Sequence, residues 1–262
     1  MFEYDFMKNA LLAVLLITPI LGILGTMVVN NKMAFFSDAL GHSALAGIGI
    51  GVVLGLTQPL WAMIAFALAF SAAIIIVKNT NNSSIDTIIG VFSSTGIAIG
   101  IVLLSINSSF SKYSNFLIGD ILGITPNEII LLAIVFICVI IIWIFIFNNL
   151  LIVSLDNTFG VSRGVNTKFL EIIFTSIIAV VVTISIKWVG ILIINSLLVL
   201  PAASSRNIAR NMRQYHAISV LLAITAGISG LIISFYFNTS TGATIVLISA
   251  ILYFITLIFR KR

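Results

Sequence analysis

Long apolar runs fill most of the chain, and short polar segments separate them. A bilayer core of about 30 Å requires about 20 apolar residues per helix, so each run of that length predicts a membrane-spanning helix. Asn, Pro, Lys and Gly, which favour turns, stand at most of the breaks. The pattern predicts nine spans, at about 10–29, 35–56, 59–77, 87–106, 128–150, 169–187, 189–204, 216–237 and 242–259.

Two positions bear on how these runs are counted. The sixth and seventh runs are separated only at Lys187 and Trp188, so nine spans become eight if the two runs form one broken helix. Pro201 removes one helical hydrogen bond and predicts a kink or an end of the seventh span. The runs leave no room for a soluble domain. We expect an all-α polytopic membrane protein with eight to nine helices, forming a single transmembrane domain over residues 1–262.

The first run resembles a signal peptide only superficially. It is too long for the apolar region of such a peptide and has no small-residue cleavage site. Glu3 and Asp5 also outweigh Lys8 in the segment before it, whereas a signal peptide begins with positive charge. We therefore expect a retained first helix whose amino terminus lies outside.

The composition supports a membrane protein. Of 262 residues, 60% are hydrophobic and 8% are charged, whereas about 25% are charged in soluble domains. This balance excludes a soluble enzyme, a nucleic-acid-binding protein and a disordered chain. The single cysteine, Cys138, excludes an intramolecular disulfide and a Cys-rich metal site. Walker A and common hydrolase motifs are missing from the sequence, so the energy for any active transport would come from elsewhere.

The basic residues are distributed unequally between alternate loops. With the amino terminus outside, the outer side receives three of them, Lys8, Lys112 and Lys187. The other side receives the remaining ten, which are Lys32, Lys78, Arg163, Lys168, Arg206, Arg210, Arg213, Arg260, Lys261 and Arg262. Cytoplasmic loops carry the excess of Lys and Arg, so the second side is predicted to be cytoplasmic, together with the carboxyl terminus. The same asymmetry favours nine crossings over eight.

Asp38 and His42 are the most informative polar residues within a span. Ionisable residues inside a membrane are costly and often functional. A spacing of four residues places both side chains on one face of a helix. Counted from Lys32 at 1.5 Å per residue, they lie roughly 9 and 15 Å along the axis. A carboxylate with an imidazole is a suitable ligand pair for Zn²⁺, Mn²⁺ or Fe²⁺.

The same pair has a purely structural interpretation, in which an Asp–His hydrogen bond satisfies two buried polar groups. Two ligands also cannot complete a metal coordination shell, so water, other helices or a second copy of the chain would supply the rest. The same span carries small residues at four-residue spacing, which predict the close approach of another helix. These residues are Ser43, Gly47, Gly51 and Gly55.

Five further polar residues have open interpretations. Asn195 and Ser196, near the middle of the seventh span, line a pathway or form interhelical hydrogen bonds. His216 opens the eighth span and is expected at the lipid headgroups rather than as a metal ligand. Asp120 and Glu128 flank the outer loop before the fifth span and are expected to be solvated charges, or else contacts for an external partner.

The longest cytoplasmic loop, residues 154–166, mixes apolar and polar residues and contains two glycines. An ordinary connection would be shorter and more uniformly polar. The pattern predicts a short amphipathic segment with sharp ends. Such a segment either lies on the lipid headgroups or forms a docking surface for a cytoplasmic protein.

Four stretches resemble one known family. The segment from Lys32 to Gly47, KMAFFSDALGHSALAG, is similar to the second-helix motif of the membrane permease subunits of zinc and manganese ATP-binding-cassette importers. The segment 154–165, SLDNTFGVSRGV, resembles their ATPase-coupling loop, and 189–203, VGILIINSLLVLPAA, resembles a late-helix motif. The segment 240–247, STGATIVL, resembles the start of their last span. The four matches occur in the family's order along the chain.

The resemblance implies the permease of an ATP-driven importer of a divalent transition metal in the plasma (inner) membrane. It implies a homodimer with two cytoplasmic ATPase subunits and an external metal-binding protein, and no enzymatic activity in this chain itself. The metal-pathway residues of the family correspond to Asp38 and His42, and the coupling-loop contact to the region of Asp156 and Gly164. No permanently bound cofactor is expected. Zinc is favoured over manganese and iron from the first 55 residues.

Two other functional classes are alternatives to a permease subunit. A gradient-driven metal transporter or channel would need no ATPase, but such transporters usually have internal inverted repeats, and the sequence has no such symmetry. An intramembrane aspartyl protease needs two facing carboxylates, and only Asp38 is well inside a span. Together with the coupling loop, these arguments favour the permease.

Overall fold

The computed structural model describes residues 4–56, 58–80, 83–106, 113 and 119–260. Lys112, Lys261 and Arg262, which were counted in the charge distribution, lie outside the described residues. All regular structure in these described ranges is helical. The α-helices are α1 (Asp5–Asn30), α2 (Phe36–Val53), α3 (Leu60–Thr80), α4 (Ile85–Ile106), α5 (Pro126–Leu155), α6 (Asn157–Ser162), α7 (Thr167–Val189), α8 (Ile191–Ile208), α9 (Met212–Phe237) and α10 (Thr241–Ile258), with a 3₁₀ turn at Ile121–Gly123.

The long helices confirm the predicted all-α polytopic fold. Within the described residues, one long helix lies at each of the nine predicted apolar runs. Eight of these helices are long and apolar enough to cross a membrane. The ninth long helix, α8, contains Pro201 and Arg206 in its second half. The interpretation of residues 1–262 as one permease domain stays a prediction.

Two local predictions were wrong, namely the position of the break between the sixth and seventh runs and an end of the seventh span at Pro201. The break between the sixth and seventh runs lies at Gly190, with φ of 86°, and not at Lys187–Trp188. Glycine adopts positive φ at no steric cost, so the chain turns there between two helices. Pro201 lies inside α8, which continues to Ile208. A membrane helix tolerates proline because neighbouring groups satisfy the carbonyl that loses its partner.

The chain forms two compact units, and the first comprises residues 1–34, 116–140 and 187–262. In this unit α1 packs against α8 and α9, and α10 packs against the same two helices. Hydroxyl groups join neighbouring helices: Ser219 donates to the Gly22 carbonyl at 2.7 Å, and the Tyr215 hydroxyl donates to the Thr26 carbonyl at 3.3 Å. Interhelical hydrogen bonds of this kind stabilise packed membrane helices.

The second unit comprises residues 35–115 and 141–186. In this unit α2 packs against α3 and α4. A Cβ atom on Gly47 would lie 2.6 Å from the Met63 Cα atom of α3, and one on Gly100 of α4 would lie 2.7 Å from the Leu45 Cβ atom. The predicted close approach of a helix to the small-residue stripe is therefore confirmed on the α3 side. Gly55 does not belong to the stripe, because α2 ends at Val53.

Candidate functional site

Asp38 and His42 lie one turn apart at the amino-terminal part of α2. The His42 Nε2 atom is 3.4 Å from the Asp38 Oδ2 atom, and the side chains are 21% and 32% exposed, respectively. Typical N–H···O hydrogen bonds span about 2.7–3.2 Å. The pair is thus close enough to share one ion but is not joined by a short hydrogen bond.

The second ring nitrogen of His42 distinguishes this site from an ordinary buried pair. The Nδ1 atom is buried and has no hydrogen-bond partner within the part of the chain that the structure describes. An unsatisfied buried polar atom costs about 1–3 kcal/mol. Neither ring nitrogen therefore has a good partner among the described residues, and both are suited to an additional ligand. The spacing of residues in the sequence gave no indication of this.

The predicted depth of the pair requires a correction. Lys32 has a positive φ of 58°, and residues 31–35 form turns rather than helix. The helical rise therefore starts at Phe36, so Asp38 and His42 lie only about 3 and 9 Å along α2 at 1.5 Å per residue. Asp38 is in the first helical turn. The values counted from Lys32 were too large because they assumed a continuous helix.

The described residues contain no group of three or more His, Cys, Asp and Glu side chains that could hold a metal ion. Within them, Asp38 and His42 thus form a pair and not a complete metal site. One carboxylate and one imidazole leave at least two positions of a tetrahedral shell to other donors. A pair of this kind suits an ion that passes through, because a complete cage would retain it.

Asn195 and Ser196 lie in α8, in the first unit, whereas Asp38 and His42 belong to the second. Both α8 side chains are half-buried and engaged with neighbouring groups. Their assignment as pathway-lining residues stays a prediction.

The loop between α5 and α7 contains the predicted short segment with sharp ends, α6. The Asp156 side chain accepts hydrogen bonds from the backbone N–H groups of Thr158 (2.8 Å) and Phe159 (3.4 Å) and so caps the first turn. Gly164 follows the helix with φ of 76°, a conformation that side-chain-bearing residues rarely adopt. Asp156 and Gly164 thus shape the loop, whatever it contacts.

The surface of α6 carries apolar side chains. Phe159 is 47% exposed and Val161 is 58% exposed. The Arg163 guanidinium carbon lies 4.7 Å from the centre of the Phe159 ring, an arrangement typical of a cation–π contact. An exposed apolar patch with a basic border fits a partner protein or the lipid headgroups.

His216 lies between α1 and α9 rather than freely among headgroups. Its Nδ1 atom is 2.9 Å from the Met212 carbonyl oxygen, and its Nε2 atom is 3.1 Å from the Thr26 hydroxyl oxygen. These contacts connect two helices and account for both ring nitrogens. Among the described residues, His216 therefore has the contacts of a structural histidine and not those of a metal ligand.

Asp120 and Glu128 each stabilise local structure. The Asp120 carboxylate accepts from the backbone N–H groups of Leu122 and Gly123, both at 3.2 Å, and caps the 3₁₀ turn. Glu128 forms an ion pair with Lys187 and accepts from the Thr125 N–H at 2.8 Å. The expectation of simply solvated charges was therefore incomplete.

Sequence reasoning also missed a second ion pair, between Lys78 at the end of α3 and Glu171 near the start of α7. The two pairs are consistent with the predicted topology. Lys78 was placed on the cytoplasmic side, and Glu171 lies near the cytoplasmic start of the predicted sixth span, whereas Lys187 and Glu128 were both placed on the outer side. Partners so distant in sequence cannot be matched without the fold.

Residues 3–260 match the ABC 3 transport family, and the chain belongs to that family. It is a multi-pass membrane permease of the ATP-binding-cassette metal importer class.

Similar proteins include membrane proteins named for the uptake or transport of different metals. The chain is 32% identical, over 99% of its own length and 99% of the relative, to the high-affinity zinc uptake system membrane protein ZnuB of Haemophilus influenzae. It is 26% identical, over 99% of its length and 92% of the relative, to the manganese transport system membrane protein MntC of Listeria monocytogenes. A solved structure of PsaBC from Streptococcus pneumoniae in complex with Fab has a TM-score of 0.85 and 26% identity, over 97% of this chain and 91% of that one.

Proposed function

We propose that two copies of this chain form the membrane pathway of an ATP-driven importer of a divalent transition metal, with zinc favoured. The observation that carries this proposal is the Asp38–His42 pair on α2, in a chain of the metal importer class. The His42 Nδ1 atom of this pair has no partner among the residues that the structure describes. The proposed location is the plasma (inner) membrane, with the amino terminus outside and the carboxyl terminus in the cytoplasm.

Electrostatics supports a role for the pair in moving a cation. A cation that enters the low-dielectric core loses hydration, and neutral side chains replace little of it. The Asp38 carboxylate offsets this loss with opposite charge. The His42 imidazole provides a nitrogen ligand, which Zn²⁺ and Mn²⁺ accept more readily than Mg²⁺ or Ca²⁺.

A homodimer would complete the site. Two copies would supply two carboxylates and two imidazoles, which together form a four-ligand set of the kind that Zn²⁺ accepts. The set would be transient, because an ion held tightly could not leave. The dimer explains why one chain carries only two of the donors.

The proposed source of energy is a separate cytoplasmic ATPase that docks on α6. The exposed apolar side chains of α6 and its capped, preformed structure support this role, because a preordered segment loses little conformational freedom on binding. An external metal-binding protein is the proposed donor of the ion.

The choice of zinc rests on likeness and not on coordination chemistry. The chain is more similar to the named zinc relative than to the named manganese relative, at 32% and 26% identity. Asp and His suit zinc, manganese and iron alike.

The decisive experiment is to express the chain with its candidate ATPase, purify the complex and reconstitute it in liposomes. We expect the ATPase to co-purify and ATP hydrolysis to depend on the metal-loaded external protein. Uptake of Zn²⁺ should exceed that of Mn²⁺ and Fe²⁺. Uptake that follows an ion gradient with no ATP inside would instead support the secondary transporter.

The orientation can be tested with a cysteine placed at position 157 in a Cys138→Ser background. An impermeant thiol reagent should label it only after the cells are opened. A matched cysteine at position 120, on the opposite predicted side, should be labelled in intact cells. The reverse pattern would contradict the topology.

The docking role of α6 can be tested with Gly164→Trp and Gly164→Ala. A Cβ atom at this position would meet nothing within 4 Å, so both variants strain the backbone equally but only Trp adds bulk. We expect Trp to abolish ATPase co-purification while Ala retains a large part of it. Normal uptake with the Trp variant would argue strongly against docking at this loop.

A further inference from the structure

A cavity of about 460 Å³ in the first unit is lined by three arginines, Arg206, Arg210 and Arg260. Arg206 lies near the end of α8, Arg210 lies in the connection to α9, and Arg260 follows α10. Neither the metal pathway nor the docking loop uses these residues. Three guanidinium groups around one space repel each other unless something neutralises them.

The part of the cavity wall that the structure describes contains no acidic side chain. Within the described residues, the ion pairs of the protein involve only Lys and His as cations, so the three arginines have no carboxylate partner. Asn207, which also lines the cavity, donates from Nδ2 to the Thr256 hydroxyl at 3.3 Å. This contact joins α8 to α10 and gives the cavity a defined wall. Since no carboxylate among the described residues pairs with these guanidinium groups, the cavity is suited to an added anion.

The guanidinium group favours phosphate among common anions. Its planar, forked N–H donors match phosphate oxygens in pairs, and it stays charged at any physiological pH. Basic pockets between membrane helices are known to bind the phosphate headgroups of lipids.

Exposed apolar side chains that precede Arg260 in the sequence favour a lipid over free phosphate as the bound anion. Phe254, Ile258 and Phe259 on the last turns of α10 are 61%, 81% and 68% exposed. These residues continue a helix that is apolar enough to cross a membrane. A phosphate that carries acyl chains would place its headgroup in the cavity and its chains against this apolar face. Free phosphate would leave the apolar face without a role.

We propose that this cavity binds the phosphate headgroup of an anionic membrane lipid, with the acyl chains against α10. The proposal is independent of the metal and of Asp38 and His42. One basic residue near an anionic lipid surface contributes about fivefold in affinity, so three contribute on the order of a hundredfold.

The test is native mass spectrometry of the purified full-length protein in neutral detergent. Dioleoyl phosphatidylglycerol and dioleoyl phosphatidylcholine, which share acyl chains, are added separately. We expect the wild type to prefer phosphatidylglycerol. The variant R206Q/R210Q/R260Q should lose on the order of a hundredfold in affinity for that lipid, with little change for phosphatidylcholine.

A matched control removes the same number of charges elsewhere on the same predicted side, as R163Q/K168Q/R213Q. It should keep the lipid preference, because none of its residues lines the cavity. If the triple cavity variant does not fold, Arg260→Gln alone, beyond the end of α10, should still lose about fivefold.

Three outcomes would overturn the proposal. One is an equal loss in the cavity variant and the control, which would indicate a general surface charge effect. Another is displacement of the lipid by millimolar inorganic phosphate, which would indicate a site for the free ion. The third is an unchanged lipid preference together with lost ATPase co-purification, which would assign the arginines to protein docking.

Discussion

The two histidines of the chain occupy similar positions near the beginning of a membrane helix, yet their surroundings differ. In His216, both ring nitrogens lie within hydrogen-bond distance of groups on α1 or α9. In His42, one nitrogen lies 3.4 Å from a carboxylate oxygen, and the other is buried without a partner among the described residues.

This difference separates a structural histidine from a candidate ligand. A buried polar group whose bonds are all made within the protein contributes to stability and has little capacity left for another ligand. A buried nitrogen without a partner costs stability, and such a cost is commonly found where a ligand supplies the missing contact. Substitutions at the two histidines should therefore affect different properties, transport at one and stability at the other.

The largest effect is expected from Asp38→Ala and His42→Ala. Each variant should reduce metal uptake by on the order of a hundredfold. Asp38→Ala removes a charge, which is worth about 2.5–3.5 kcal/mol in a membrane, and each 1.36 kcal/mol is tenfold in rate. His42→Ala removes the nitrogen ligand of the pair. Expression, dimerisation and ATPase binding should persist. Uptake of radioactive or fluorescent metal into liposomes measures the effect, and normal uptake by both variants would reduce the pair to a structural contact.

Asp38→Asn separates charge from shape. It keeps the size of the side chain and removes its charge, so uptake should fall nearly as far as with Ala if opposite charge offsets the lost hydration of the ion. The control is Asp86→Asn, which makes the same chemical change at an exposed position in the first turn of α4. Retained uptake by Asp38→Asn would show that shape alone is sufficient.

His216→Ala should produce the opposite pattern. It removes contacts to two helices, and we expect the free energy of unfolding to fall by about 1–2 kcal/mol. Metal uptake per folded molecule should stay within about twofold, because the substitution removes no proposed metal ligand. A tenfold change in rate would require the barrier to ion movement to change by about 1.36 kcal/mol. Thermal unfolding in detergent, followed together with uptake, measures both. A selective loss of uptake would place His216 in the pathway.

Thr26→Val is expected to have the smallest effect. It removes the hydroxyl that faces the His216 Nε2 atom, and hydrogen bonds between membrane helices are worth about 0.6 kcal/mol on average. Thr18→Val is its control, because that hydroxyl donates to the Val14 carbonyl within α1. A similar loss of stability in both variants would mean that the interhelical contact contributes nothing measurable.

Much of the fold could be predicted because apolar length is a strong signal in a membrane protein. The start of α4 was placed within two residues, and α6 was expected from its mixed composition and its glycines. The break at Gly190 was misplaced because apolar residues continue across it, and hydropathy does not detect a change of backbone direction. The depth of Asp38 and His42 along the helix was overestimated because Lys32 adopts positive φ, which the composition of the segment does not reveal.

The candidate site was predictable only in part. Spacing along a helix correctly brought Asp38 and His42 together, because four residues make about one turn. The unpartnered Nδ1 atom of His42 and the ion pairs Lys78–Glu171 and Lys187–Glu128 were not predicted. These features depend on which helices become neighbours, and positions far apart in one sequence carry no record of that.

The close packing of α2 on both sides has a consequence for engineering metal selectivity. Gly47 and Gly100 admit no added methyl group without a shift of neighbouring backbone or side chains, so libraries that vary them would yield mainly misfolded protein. Positions 38 and 42 are partly exposed, so we expect them to accept new side chains more readily. Donor sets such as Glu–His or Asp–Met can therefore be screened on an unchanged scaffold, and differences in selectivity can be ascribed to the donors.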